Sequence, residues 1–124
     1  PAEVYLTPAT LDVARFVGDT VIVQASGTGS MSATTTFGDL PSQNPTSVGA
    51  TGVLVFRPED LQVGGESPVL TRAGVSAVSY HGHDTLLAAR AGEQDLLIRV
   101  LGRQSVAVGD EVTVRVTRPG IFFS

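Results

Sequence analysis

The chain has 124 residues, 42% hydrophobic and 16% charged, the balance of a globular domain rather than a disordered chain. It contains no cysteine, which excludes disulfides, thiolate metal sites and cysteine nucleophiles. Its eight basic residues are all arginine and are outnumbered by twelve acids, for a net charge of −4. A P-loop lysine and Schiff-base chemistry are therefore excluded, and the charge runs against nucleic acid as a partner. No apolar run approaches the ~20 residues of a bilayer span, so no direct membrane insertion is expected.

In chain order, the first element reads as a short helix. Thr7 is a suitable N-cap, Pro8 fits the first helical position, and Leu11, Ala14 and Val17 recur at spacing three with Phe16 alongside. Gly18 closes it. Two to three turns are not stable alone in water, so this helix must dock. The terminus before it, Pro1-Ala2-Glu3-Val4-Tyr5, is no signal sequence. It reads either as a processed end or as a cut from a longer protein.

Past Gly18 the composition turns toward β. Most of the chain's eighteen valines and thirteen threonines lie there, and they favour pleated, half-buried surfaces. Val21-Ile22-Val23-Gln24-Ala25 is one predicted strand and residues 31–37 a second, with Gly27-Thr28-Gly29 as the turn between them. Residues 38–50 carry Pro41, Asn44 and Pro45 and read as a long loop. Gly52-Val53-Leu54-Val55-Phe56 is apolar on both faces, hence a central strand, and Arg57-Pro58-Glu59-Asp60 ends it. A Gly-rich connection follows over 63–68.

Residues 70–80 form a strand whose Val75 and Val78 fall on opposite faces unless a bulge intervenes. His81-Gly82-His83-Asp84 turns the chain, residues 85–90 return it, Ala91-Gly92-Glu93 turns it again, and residues 96–101 follow. Residues 111–116 alternate, with Val112, Val114 and Val116 facing one way and Thr113 and Arg115 the other. The fold class is mainly β: a small OB-like or SH3-like antiparallel β-barrel with a short N-terminal helix.

Candidate chemistry is sparse. Gly27-Thr28-Gly29 lacks the third glycine of a dinucleotide loop, since Ser32 stands there, and strand rather than helix follows. His81, His83 and Asp84 are a legitimate metal set, although a glycine turn places such residues in water regardless of function. Glu59 and Asp60 are neighbours that point to opposite faces, which disqualifies them as an acid/base pair. They suit a turn cap or an ion pair with Arg57. The apolar end Ile121-Phe122-Phe123 must pack on its own barrel or on a partner chain. From the residues alone, two classes stay open: a ligand-sensing or regulatory module, and an OB domain for oligosaccharide or nucleic acid. Five phenylalanines, two tyrosines and no tryptophan argue against the second.

The opening run, Pro1-Ala2-Glu3-Val4-Tyr5, then Pro8-Ala9, then Val13-Ala14-Arg15-Phe16-Val17-Gly18, resembles the segment that follows the nucleotide-binding domain in bacterial ABC importer ATPases. Val55-Phe56-Arg57-Pro58-Glu59-Asp60 is similar to a strand end of their C-terminal regulatory domain. Residues 74–82 and 102–116, with Gly109-Asp110-Glu111-Val112, follow its TOBE-type (transport-associated OB) pattern. The short loops and Tyr80-His81-Gly82 look most like the ferric-iron importers, with polyamine, sulfate and sugar importers as alternatives. The pattern is departed from at Asp19-Thr20-Val21, where many relatives carry an asparagine.

The resemblance implies a linker and docking helix over 1–18, after an ATPase domain that lies upstream, and a regulatory domain over 19–124 with its TOBE-type core at about 52–117. It implies no catalysis, cofactor or metal in this stretch, with ATP and Mg belonging to the parent protein. The implied partners are a second copy, the chain's own ATPase domain and the transmembrane permease, at the cytoplasmic face of the membrane. Leu11 and Phe16 would dock the helix, and Ile121, Phe122 and Phe123 would carry interface contact. Arg57, at the end of an apolar strand, is expected at the barrel rim or paired, with Glu59 as a turn cap or its ion-pair partner. The competing expectation is a free-standing OB-like module for an oxyanion such as molybdate.

Overall fold

The computed structural model describes residues 20–101 and 105–124. The helix expected over 8–17, with Leu11 and Phe16, lies outside the described residues. What is described is mainly β: ten strands and one 3-10 turn, arranged in two sheets of five strands. The chain divides into two compact units, one running to Phe56 and resumed at Pro119–Ser124, the other Arg57–Arg118.

The first unit holds β1 (Val21–Gly27), β2 (Ser32–Thr35), β3 (Gly38–Pro41), β4 (Thr51–Phe56) and β10 (Ile121–Phe123), in the order β10-β4-β1-β2-β3. Neighbours are antiparallel. A parallel bridge between Ser42 and Gly120 joins the continuation of β3 to the start of β10, so the edges of this sheet meet. Val21, Val23, Ala25, Ala33, Leu40, Leu54, Phe56 and Phe122 are buried. β4 is the central strand that its composition predicts. Its other face buries Val53 and Val55, against which Ile22 and Phe123 pack.

Two expectations in this unit are corrected. The second strand stops at Thr35, and Thr36-Phe37 is a two-residue turn. Residues 38–41, read as loop, are β3. Its glycine and proline stand at the ends, where they cost a strand least, and pairing with β2 buries Leu40. Thr34 Oγ1 donates to Asp39 Oδ1 across that pair at 2.7 Å.

The second unit holds the 3-10 turn Pro58–Asp60, β5 (Leu61–Val63), β6 (Val69–His81), β7 (Asp84–Ala91), β8 (Gln94–Leu101) and β9 (Glu111–Val116), in the order β5-β9-β6-β7-β8. β5, three residues that sequence reading placed in no strand, pairs with β9 and also lies beside β8. The expected bulge is present: pairing with β7 slips between Val75 and Ala77. The extra residue sets Val75 opposite Ala89 and Val78 opposite Leu87, so both valines serve one face. Leu61, Leu87, Ile98 and Val114 are at most 1% exposed and form the centre of this unit's core. The hairpins at Gly82 and Gly92 use the same device, a glycine at positive φ (67° and 62°) opening a two-residue loop.

Gly52 tests the first unit's packing. A Cβ there would stand 2.0 Å from the Phe123 carbonyl oxygen, whereas one at Gly74 would meet nothing within 4 Å. Gly52→Ala is expected to cost about 1–3 kcal/mol in urea unfolding, the usual range for overpacking. Gly74→Ala is expected to be neutral or slightly stabilising. Equal effects of the two would contradict this packing.

Candidate functional site

In the second unit, Arg57–Asp60 is held from several sides. The Asp60 N–H donates to the Arg57 carbonyl at 2.9 Å, and the Arg57 N–H donates to Asp60 Oδ2 at 2.9 Å. The N–H and the hydroxyl of Thr117 both donate to the Asp60 carbonyl, at 2.8 and 2.9 Å. Asp60 is thus a turn cap, 8% exposed, one of the roles its sequence position suggests. Glu59 is exposed and lies 3.6 Å from Arg99 Nη1. The two adjacent carboxylates therefore do different work and share no substrate bond.

Arg99 also approaches Asp84, with Nε 3.7 Å from Oδ2. It stands between a carboxylate of the 3-10 turn and one of the β6–β7 hairpin. Sequence reading passed over Arg99; the available signal was a lone charge within the apolar strand Leu96-Leu97-Ile98-Arg99-Val100-Leu101. His81 pairs with Asp84 at the mouth of the hairpin, and His81 and His83 are both exposed. Among the described residues, no three His, Asp or Glu side chains converge as a group that could hold a metal ion.

In the first unit, the turn after β1 is tied to the 42–50 loop by Thr46, 7% exposed. Thr46 Oγ1 accepts from the N–H groups of Thr28 (3.0 Å) and Gly29 (3.3 Å), and its one hydroxyl proton is shared between the carbonyls of Ser32 (2.8 Å) and Ser30 (3.1 Å). Thr28 Oγ1 and Ser32 Oγ lie 2.7 Å apart. Those two N–H groups are directed at a side chain of the same chain, as a structural turn requires, rather than outward as an anion cradle would need.

The apolar tail packs on its own unit. Phe122 is 6% exposed, Phe123 is half-buried and Ile121 is 40% exposed. β4 flanks β10 on one side. On the other, Asn44 acts as a short surrogate strand: its Nδ2 donates to the Phe122 carbonyl at 2.8 Å, and its Oδ1 accepts from the Phe122 N–H at 2.9 Å. The Gln43 N–H adds a bond to the Gly120 carbonyl at 2.7 Å. Asn44 was legible only as a loop former.

What this arrangement offers is surfaces and latches. The Arg72–Glu111, Arg90–Asp95 and Arg99 ion pairs face solvent, while Asp60 and Thr46 hold turns. No helix among the described residues is long and apolar enough to cross a membrane. The chain belongs to the TOBE domain family, whose model matches residues 54–123, more than half of it. It is similar to two ferric-ion import ATP-binding proteins of Rhodococcus jostii, FbpC 1 and FbpC 2, each 31% identical over 94% of this chain and 34% of the relative. It is similar also to FbpC 2 of Haemophilus influenzae, 23% identical over 100% of this chain and 36% of that protein. The chain thus spans about a third of the length of these relatives.

The buried cap and the exposed ion pairs separate in a denaturation experiment. Removing the cap by Asp60→Ala is expected to cost about 1–2 kcal/mol. Arg99→Ala breaks exposed pairs and is expected to cost under about 1 kcal/mol, less still in high salt. A larger loss for Arg99→Ala than for Asp60→Ala would overturn this ranking.

Proposed function

We propose that the chain is the OB-like regulatory domain of the ATP-binding subunit of an ABC importer for ferric iron. The observation that carries this reading is that similarity to ferric-ion import ATP-binding proteins runs along almost the whole chain and through the family match at 54–123. The OB-like part rests on the first unit, where five strands in the order β10-β4-β1-β2-β3 meet edge to edge through a parallel bridge.

In this proposal residues 1–18 link to an ATPase domain, residues 19–124 form the regulatory domain, and its TOBE-type core is near 52–117. ATP and Mg act in the parent protein, which works with transmembrane permease subunits at the cytoplasmic face of the membrane. The domain itself performs no chemistry. It contributes a contact between two copies whose stability differs between states of the ATPase cycle, which is what coupling requires. The half-exposed Ile121 on the edge of the tail is the residue proposed to reach the second copy.

An Ile121→Asp exchange in the full-length polypeptide tests both clauses. Self-association, read by sedimentation, is expected to weaken at least about tenfold for loss of a buried apolar contact. Ferric iron taken up per ATP hydrolysed is expected to fall. Unchanged association would remove the dimer contact from the reading, and unchanged coupling would remove the regulatory role.

A further inference from the structure

The first sheet is apolar on both faces at its middle. On the inner face Val21, Val23, Leu54, Phe56 and Phe122 are buried. Directly paired residues project to the same side of a sheet, so the register defines an outer face as well. Ile22, Val55 and Ile121 form one row there, and Gln24, Val53 and Phe123 the next. Val53 is 2% exposed and Val55 7%, within a single copy of the chain. The open face of an antiparallel sheet is solvated, and a valine pair this dry needs a second layer over it.

Among the described residues, the hydrophobics packed against this pair are Ile22 and Phe123, which belong to the same face. The described residues thus supply no apolar second layer. Of the remaining chain, Gly102-Arg103-Gln104 has no apolar side chain, whereas Leu11, Val13, Ala14, Phe16 and Val17 lie just upstream of β1.

Chain order points the same way. The helix expected over 8–17 closes at Gly18, and β1 of this sheet starts at Val21. So short a connection leaves a helix against the sheet that its strand joins. Residues 18–20 reach about 10 Å at full extension, the spacing of packed layers. The inner face is filled, which leaves the outer one. A helix over 8–17 runs about 15 Å, enough to cross both apolar rows and end over Ser26 and Thr51, where the face turns polar. The width agrees too. Full burial is confined to β4, while on the flanking strands Ile22 and Phe123 are half-buried and Gln24 and Ile121 exposed. Three strands span about 10 Å, the diameter of one helix.

In a helix, Asp12 and Arg15 fall on one side and Val13, Ala14 and Val17 on the opposite one. We infer that residues 8–17 lie along β4 on the outer face of this sheet, with Val13 and Val17 over Val53 and Val55. The segment upstream of the barrel is then a layer of the barrel itself, and the two move as one body.

The chain has no cysteine, so a single introduced thiol reports on this face alone. In the whole chain, Val53→Cys is expected to react with a maleimide at least about tenfold more slowly than Gln24→Cys, the exposed neighbour in its row. Adding Ala14→Pro, which breaks the helix, is expected to raise the Val53→Cys rate at least about tenfold. Leu54→Cys, on the inner face, is expected to stay within about twofold of its own rate. Val13→Asp, which spares the helix but charges its inward side, is expected to act in the same direction. Fast reaction of Val53→Cys in the otherwise unaltered chain, or no response to either helix variant, would overturn the inference. So would equal acceleration of Val53→Cys and Leu54→Cys, or protection that is lost on dilution, which would place a second copy on this face.

Discussion

Three residues at the end of the chain, Ile121–Phe123, close the first unit, and a strand so short gains little from its own ladder. It is held because both of its flanks are engaged. β4 lies along one, with the bare backbone of Gly52 allowing the Phe123 carbonyl to approach; the Asn44 amide and the Gln43 N–H occupy the other. A β10 backbone left open on the outer flank would be a template for foreign strands. Phe122, buried against the core that Leu54 and Phe56 anchor, adds the apolar part of the hold. The bridge between Ser42 and Gly120, and with it the meeting of the sheet's edges, depends on this strand staying in place.

The second unit has a different internal logic. Its turn is held at Asp60, whose buried carboxylate accepts from the Arg57 N–H and whose carbonyl accepts from Thr117, while its ion pairs sit in solvent, where they stabilise little. Among the described residues, no three His, Asp or Glu side chains form a group that could hold a metal ion.

Much of the β architecture was legible because it rests on local pattern. Val112, Val114 and Val116 alternate and face inward; Gly52 to Phe56 is apolar on both faces and lies inside its sheet; the Val75–Val78 phase conflict is resolved by a bulge. What escaped was non-local. β3 and β5 are strands of four and three residues whose composition reads as turn, and their partners impose the extended form. The Asn44 clamp joins residues 78 apart in sequence, and no pattern in a loop of Pro, Ser, Gln and Asn announces it. Arg99 is visible as an oddity, yet its two acidic partners come from different turns. Of the residues singled out beforehand, Glu59 and Phe122 find partners in their own units, and His81 and His83 stand in solvent.

The regulatory account depends on this domain being one part of a transport ATPase. The most direct measurement is the size of the native polypeptide in its source cell, by immunoblot with an antibody raised against residues 20–124. The account predicts a band from a polypeptide several times the length of this chain, enriched with membranes and released with its permease. A native polypeptide the size of this chain alone would contradict it.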